Sequence, residues 1–385
     1  MRKLGYPVIG LFLLVFLMLP VGARGEGKGD APVISATSAI LVEASTGRVV
    51  YEKNADEVRP PASMTKMMTC ILGLENMKVR SLITVSPRAA GAEDSAMGLQ
   101  AGDRVDAQNL LLGMMLVSDN GAAVAVAEHI DGTVGSFAER MNEKAKEIGC
   151  GDTHFANPNG LPDKAHVSTA RDMAKIARYC LRNKEFRSIV GEKTASMRWE
   201  APKGRFLGME NTNDLLGQYE GTTGIKTGWT VAAGGCLAAS AKRKGVELIA
   251  IIMNSTDTES RFQDARKLLD YGFAHVRIHR GISKERMIRT IWVKDGREFR
   301  VEAGPTADVD YPLLHGEKPA KYSVEYDMPV LVTAPVKKGQ KVGDVILKYE
   351  GKEIGRIDVV AKGEVPSGFS VLSYFFVGLL SHFIR

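Results

Sequence analysis

Two neighbouring apolar segments constrain the fold more than any other feature of this 385-residue chain. QNLLLGMMLV (108–117) and GAAVAVAEHI (121–130) are both typical of helices, yet neither has a polar face. Helices of this kind must be buried on all sides, which requires a large core around them. Only SDN (118–120) separates the two segments, so we expect these three polar residues to be held rigidly between buried helices.

Strand-like and helical segments surround this apolar pair in a characteristic order. In chain order they are a hairpin at 37–54, a helix from Ser63, amphipathic helices at 136–149 and 170–183 (the second capped by Ser168 or Thr169), strands at 222–230, 234–242 and 246–254, and a helix at 259–273. This order predicts an α+β domain at 31–275, in which the first and last strands share one antiparallel sheet with helices around it.

The pattern changes after His275, and we place a domain boundary near 275–285. Short strands separated by turns rich in glycine and lysine predict a small all-β domain, a β-sandwich, at 280–362. The tail at 366–385 is apolar and aromatic, but its uninterrupted apolar run is too short to span a bilayer. It predicts an amphipathic helix lying in the membrane surface, with packing on the β domain as the alternative.

The N-terminus predicts export. Arg2 and Lys3 precede an apolar run at 8–19 and small residues at 21–23, which is typical of a signal peptide, here 1–23. An uncleaved anchor is the alternative, and both place the remaining chain outside the cytoplasm. The expected location is therefore the extracytoplasmic face of the cytoplasmic membrane or the cell wall.

Charge and cysteine content exclude some classes of protein. The net charge is +6 and the pI about 9.0, but the basic residues are dispersed, which argues against nucleic-acid binding and suits a membrane or an anionic wall polymer. The four cysteines form no C-x-x-C motif and have apolar neighbours. We expect buried free thiols, and neither a metal nor a cofactor.

The stretch PPASMTK places Ser63 three residues before Lys66, so the two share one helical face. Ser63 follows two prolines and is expected to cap the helix that begins there. A serine hydroxyl becomes a strong nucleophile only when a base takes its proton. Lys66 can act as that base only when neutral, and burial and a nearby cation, Lys226, would both lower its pKa.

Two further motifs turn this pair into a specific hypothesis. SMTK (63–66), SDN (118–120) and KTG (226–228) occur in the order found in penicillin-binding proteins and class A β-lactamases. In this arrangement Ser118 would relay protons between amines, and Asn120 would orient Lys66 and hold a substrate amide. Thr227 and the backbone around it, including Gly228, would bind a carboxylate. The backbone N–H groups of Ser63 and Trp229 would form an oxyanion hole.

The chain resembles the low-molecular-weight penicillin-binding D-alanyl-D-alanine carboxypeptidases over nearly its whole length. PPASMTKMMT, SDNGAA, NPNGL (157–161), GIKTGWT and RFQDARKLLDYGF carry the resemblance. It implies a β-lactamase/transpeptidase-like catalytic domain, a small β domain and a membrane-tethered C-terminus. It also implies removal of the terminal D-alanine from peptidoglycan stem pentapeptides through an acyl-enzyme, with β-lactam antibiotics as inhibitors.

Carried over by motif, the resemblance makes Ser63 the nucleophile, Lys66 the base, Ser118 the relay and Lys226 a substrate-binding residue. Arg261, in SRF, would help to bind the terminal carboxylate. Two positions depart from the pattern of some members: Trp229 stands where they have histidine, and Thr212 stands where they have arginine. These departures leave the reaction class unchanged and put substrate preference and rate in question.

Three other functions fit parts of the sequence. A β-lactamase would need a deacylating glutamate between SDN and KTG, where the chain offers only Asp163 and Asp172 after NPNGL. A penicillin-binding sensor would be acylated at Ser63 without turnover. A zinc peptidase could use His275 and His279, which stand four apart, but no glutamate lies between them in a His-Glu-x-x-His pattern.

Overall fold

A computed structural model of the chain describes residues 31–78 and 80–368. The segment expected to be a signal peptide, 1–23, and all but the first three residues of the expected tail helix at 366–385 lie outside this part. Within it, no helix combines the length and the apolar character needed to cross a membrane.

Eight α-helices and seventeen strands make up the described chain. The helices are α1 (Lys66–Asn76), α2 (Pro87–Ala90), α3 (Ala107–Leu116), α4 (Asn120–Asp131), α5 (Val134–Ile148), α6 (Ala170–Cys180), α7 (Lys184–Gly191) and α8 (Ser260–His275). The strands are β1 (Ser38–Glu43), β2 (Val49–Lys53), β3 (Leu82–Thr84), β4 (Arg104–Asp106), β5 (Thr194–Arg198), β6 (Phe206–Glu210), β7 (Thr222–Thr230), β8 (Gly234–Arg243), β9 (Val246–Ser255), β10 (Arg277–Ile282), β11 (Arg289–Lys294), β12 (Arg300–Pro305), β13 (Val309–Leu313), β14 (Tyr322–Asp327), β15 (Leu331–Thr333), β16 (Lys341–Tyr349) and β17 (Lys352–Ala361).

The central sheet has the strand order β2-β1-β9-β8-β7, with every neighbouring pair antiparallel. The first hairpin and the late strands therefore share one sheet, which confirms the expected sheet-and-helix α+β domain. β7, which carries KTG, is the last strand on one side. Among the described residues, the outer edge of β7 therefore has no neighbouring strand in this sheet and is available to contact the segment around Ser63.

Both faces of this sheet are buried, which explains why its strands have continuous apolar runs instead of alternating ones. In β9, Ile249 and Ile251 belong to the core that contains the helices of the middle region. Their neighbours Leu248 and Ala250 belong to a second core beneath α8. The sheet is thus the middle of three layers, helices on one face and α8 on the other.

The buried helix pair is confirmed. Most of α3 and the first eight residues of α4 are buried, and the loop between them begins at Val117. Asp119 caps α4 by accepting a hydrogen bond from the Ala122 N–H, and its other carboxylate oxygen accepts from the Met97 N–H at 2.7 Å. Capping of α6 by Thr169 is also confirmed. α7 and the short pairs β3-β4 and β5-β6 were not predicted.

Only strands and short 3-10 turns follow α8 in the described chain. β10 pairs with β13, and the other strands form a six-stranded sheet in the order β14-β16-β17-β12-β11-β15. These strands have an apolar core of their own, which includes Ile291, Val345 and Val359. An all-β region therefore follows the sheet-and-helix domain, as expected.

Candidate active site

Ser63 lies in a tight 3-10 turn, Ala62–Thr65, immediately before α1. The expectation that Ser63 caps the helix is wrong: Pro61 is the N-cap residue of the turn, and no side chain caps it. Ala62 adopts a left-handed conformation with φ of 48°, which tightens the chain at this point. The Ser63 Oγ lies 2.8 Å from the Lys66 Nζ, one turn later.

Lys66 is fully buried, and its amine has three close contacts. Besides Ser63, the Nζ lies 2.6 Å from the Asn120 Oδ1 and 2.8 Å from the Asn159 carbonyl oxygen. The Asn120 Nδ2 donates to the Glu93 carbonyl at 2.8 Å, which fixes the orientation of the amide. Both the Asn120 Oδ1 and the Asn159 oxygen can only accept hydrogen bonds.

These contacts determine what a neutral Lys66 does. A neutral amine has two N–H donors and one lone pair. The two donors go to the Asn120 and Asn159 oxygens, because neither of these can donate. The lone pair is then directed at the Ser63 hydroxyl, which is the only one of the three contacts that carries a proton. The geometry is that of a base accepting the proton of Ser63.

Burial makes the neutral amine accessible near physiological pH. It lowers the pKa of Lys66 to about 7, against an opposing effect of the Asp119 and Asp94 carboxylates. Burial is also the larger cause of the low pKa of Lys226, and charge repulsion from the cations of Lys66 and Arg261 lowers that pKa further.

Lys226 is buried on β7, and within the described residues its Nζ has no hydrogen-bond partner. Gly228, two residues on, brings β7 against the 3-10 turn. A Cβ at this position would lie 3.0 Å from the Ser63 backbone nitrogen and 3.1 Å from the Ala62 Cβ. Arg261, at the start of α8, donates from Nη1 to the Gly228 carbonyl at 2.8 Å. Gly228 and the Arg261 guanidinium bound to its carbonyl therefore lie close to the Ser63 backbone, and Lys226 lies two residues before Gly228 on the same strand.

The remaining expected residues border this centre. The hydroxyls of Thr227 and Thr212 are hydrogen-bonded at 2.6 Å, so the position that departs from the family pattern contacts KTG directly. The Trp229 side chain is 54% exposed. Ser118 is half-buried in the α3–α4 loop with φ of 61°. It is not among the three contacts of Lys66, and no direct bridge joins it to Lys226.

The NPNGL loop completes the site, and sequence reasoning gave it no role beyond the resemblance. Asn159 supplies a carbonyl to Lys66, and Gly160 (φ 89°) packs so closely that a Cβ there would lie 2.0 Å from the Ala62 oxygen. A cleft of about 400 Å³ lies beside this loop and is lined partly by Leu161 and Thr230. In the sequence, only the pair Asn159-Gly160 indicated that the backbone of this loop could pack so closely against Ala62.

Residues considered for other functions lie elsewhere. α8 ends at His275, whereas His279 belongs to β10, so the helical spacing of a zinc pair is not formed. The described residues contain no acidic or histidine cluster that could hold a metal ion. The Asp172 carboxylate accepts from the Asp152 N–H at 2.9 Å and pairs with Lys175 at 2.7 Å. All four cysteines are free and buried, as expected.

Comparison with known proteins connects this geometry to a family. Residues 26–257 match the family model described as D-alanyl-D-alanine carboxypeptidase. The chain belongs to the D-alanyl-D-alanine carboxypeptidase family. Residues 280–367 match a second model, the C-terminal domain of penicillin-binding protein 5.

Relatives of this carboxypeptidase family match over most of their length. The carboxypeptidase DacF of Bacillus subtilis is 33% identical over 96% of both chains, and DacC of Escherichia coli is 32% identical over 92% of this chain and 90% of that one. The structure is also similar to penicillin-binding protein 5 from Haemophilus influenzae (TM-score 0.65, 30% identity, 88% of this chain and 100% of that one). The Streptomyces K15 DD-transpeptidase aligns with a TM-score of 0.62 and 33% identity over 64% of this chain and 100% of that one.

Proposed function

We propose that the chain removes the terminal D-alanine from peptidoglycan pentapeptides through an acyl-enzyme on Ser63. Membership of the carboxypeptidase family makes the protein a serine-type peptidase. The observation that carries the assignment of Ser63 is the 2.8 Å contact between its Oγ and the Lys66 Nζ, whose other two contacts can only accept hydrogen bonds.

Acylation would begin with attack of the Ser63 Oγ on the carbonyl carbon between the two D-alanines, while Lys66 takes the hydroxyl proton. The resulting oxyanion would be held by the backbone N–H groups of Ser63 and Trp229. Collapse of the tetrahedral intermediate breaks the peptide bond, and the departing D-alanine amine receives a proton through Lys66 and the Ser118 relay. In deacylation Lys66 would take a proton from the water that attacks the ester carbonyl. The bond between the Ser63 Oγ and the acyl group would then break, and the Ser63 oxygen would receive that proton as the shortened peptide leaves with a new terminal carboxyl group.

Recognition of the substrate carboxylate would use the side chains of Lys226 and Arg261. Lys226 has a buried, unpartnered amine within the described chain, and Arg261 is held against Gly228. Thr227 would add a hydroxyl donor, and Asn120 would hold a substrate amide. An anion at this place would offset the burial of two cations, which otherwise disfavours their charged forms.

β-lactams would acylate the same hydroxyl. Opening of the lactam ring breaks the amide bond, but the leaving amine remains attached to the acyl group. It therefore stays in the site and hinders the attack of water, which makes the adduct long-lived. We infer that the same geometry supports both turnover of peptides and inhibition by penicillins.

We further propose that the mature protein works on the extracytoplasmic face of the cytoplasmic membrane. The signal peptide at 1–23 and the amphipathic segment at 366–385 support this on sequence grounds. The catalytic domain would occupy 31–275 and the small β domain 280–362. The membrane surface and peptidoglycan stem peptides are the proposed partners.

Mass spectrometry after incubation with penicillin tests the assignment. We expect one adduct, on Ser63, and steady release of D-alanine from a pentapeptide. Ser63→Ala should lose both, whereas Ser136→Ala, at an exposed serine of α5, should keep both. An adduct on another residue would refute the mechanism, and acylation without D-alanine release would favour a penicillin-binding sensor.

A further inference from the structure

We propose that His166 and Thr65 are positioning residues that hold the Ala62–Ser63 peptide, and through it the Ser63 N–H, in the orientation needed to bind an oxyanion. Neither residue contacts the reacting atoms in this scheme. The inference rests on the proposed function, because the orientation of this N–H matters only if Ser63 is the nucleophile.

The hydrogen bonds around His166 have one consistent direction. The ring is 2% exposed, and its Nδ1 accepts from the Ala156 N–H at 3.1 Å. A neutral ring that accepts at Nδ1 carries its proton on Nε2. That nitrogen lies 2.7 Å from the Thr65 Oγ1 and therefore donates to it. Thr65 in turn donates its own proton to the Ala62 carbonyl at 2.8 Å.

The Ala62 carbonyl matters because it shares a planar peptide with the Ser63 N–H. In a trans peptide the C=O and the N–H point in opposite directions, so fixing one fixes the other. The Ala62–Ser63 bond is trans. Thr65 therefore fixes the direction of the Ala62 carbonyl, and with it the opposite direction of the Ser63 N–H, which in this proposal faces the oxyanion.

This peptide needs such support because its conformation is unfavourable by itself. Ala62 has φ of 48°, a left-handed conformation that costs a non-glycine residue about 1–2 kcal/mol. A Cβ at Gly160 would lie 2.0 Å from the Ala62 oxygen, and a Cβ at Gly228 would lie 3.0 Å from the Ser63 nitrogen. Two glycines make room for the peptide, and the hydroxyl of Thr65 supplies its directional bond.

The charge state of His166 suits this role at neutral pH. Burial lowers the pKa of His166 to about 4, and the charged or titratable groups that affect it are Asp163, which raises it, and His154 and Lys66, which lower it. The ring is thus neutral above that pH and keeps one acceptor and one donor nitrogen. Protonation would replace the acceptor with a second donor facing the Ala156 N–H.

Three variants test the chain of hydrogen bonds from His166 through Thr65 to the Ala62 carbonyl. Thr65→Val keeps the shape of the side chain but removes the hydroxyl, and Thr65→Ser keeps the hydroxyl. Thr223→Val is the control, since Thr223 is hydrogen-bonded to the buried Ser240 hydroxyl at 2.7 Å on the sheet. The measurements are the rate of acylation by labelled penicillin, kcat and KM for D-alanine release, the Kd of a peptide boronic acid, and Tm.

We expect Thr65→Val to lower the acylation rate and kcat by about 10- to 100-fold, less than full removal of an oxyanion-hole donor. KM should change little. The boronic acid, which forms a tetrahedral adduct with the Ser63 oxygen, should lose affinity by the same factor as kcat. Thr65→Ser should recover most of the rate, and Thr223→Val should keep the wild-type rate despite a lower Tm.

Each other outcome is decisive. Unmodified Ser63 in the wild-type protein would overturn the proposed function itself. If the wild type is acylated normally and Thr65→Val is acylated at the same rate, the positioning role of His166 and Thr65 is overturned while the proposed function stands. Rates that follow Tm in all variants would show a purely structural role. If Thr65→Val does not fold, two substitutions of His166 replace it. His166→Phe should lower the acylation rate, and His166→Gln should recover part of that rate. Equal acylation rates in these two variants would overturn the positioning role.

Discussion

Replacing Lys66 by methionine would test the buried base most directly. Methionine is unbranched and apolar, so Lys66→Met removes the amine while filling most of a site that solvent does not reach. The variant has no group that can take the proton of Ser63. We expect its rate of acylation by penicillin to fall by about 100- to 10,000-fold, the usual contribution of a general base.

The same variant reveals the pKa of Lys66 through stability. Burial lowers this pKa from 10.5 to about 7, so between these values the unfolded chain binds a proton that the folded chain has released. The free energy of unfolding therefore rises with pH in this window, by about 1.4 kcal/mol per pH unit. From pH 7 to pH 10 the wild type should gain roughly 4 kcal/mol relative to Lys66→Met, which shares every other titratable group.

Urea unfolding of both proteins at several pH values between about 6 and 10 measures this difference. In parallel, the acylation rate of the wild type should rise about tenfold per pH unit below 7 and then reach a plateau, because only neutral Lys66 accepts the proton. A stability difference that stays constant from pH 7 to 10 would refute the lowered pKa. A rate that is independent of pH below 7 would refute the role of Lys66 as base.

Two further substitutions test the surroundings of the base. Gly160→Ala places a Cβ 2.0 Å from the Ala62 oxygen, so it should lower the unfolding free energy by more than about 2 kcal/mol, measured with urea. Gly102→Ala is its control, with a similar φ of 90° and open space around it, and equal losses in both would contradict the close approach. Asn120→Asp puts a carboxylate beside Lys66 and should move the rise in acylation rate to higher pH; an unchanged or lower midpoint would contradict this.

The sequence predicted the sheet-and-helix architecture well because its strongest signals are local. The run at 248–253 is apolar throughout since both faces of β9 are buried. The three-residue strands β3 and β4 were missed for the opposite reason: they are too short to show a period, and only tertiary pairing makes them strands.

Only the part of the candidate site that depends on local spacing could be predicted from the sequence. Ser63 and Lys66 are three residues apart in one turn, so their contact follows from helical spacing. The Asn159 carbonyl reaches Lys66 from a loop distant in the chain. Every residue has a backbone oxygen, so the residue type at this position does not indicate the contact. The capping role of Ser63 was wrong because the left-handed Ala62, which no composition signal indicates, converts the helix start into a 3-10 turn.

The two buried lysines are best understood as one coupled system. Lys66 has three contacts, two of which only accept, whereas Lys226 has no hydrogen-bond partner within the described chain. The Lys66 cation lowers the pKa of Lys226, and a proton added to either amine disfavours a second on the other. An anionic substrate group near Lys226 would favour the charge there and leave Lys66 neutral. Binding of a carboxylate would then help to prepare the base for its reaction with Ser63.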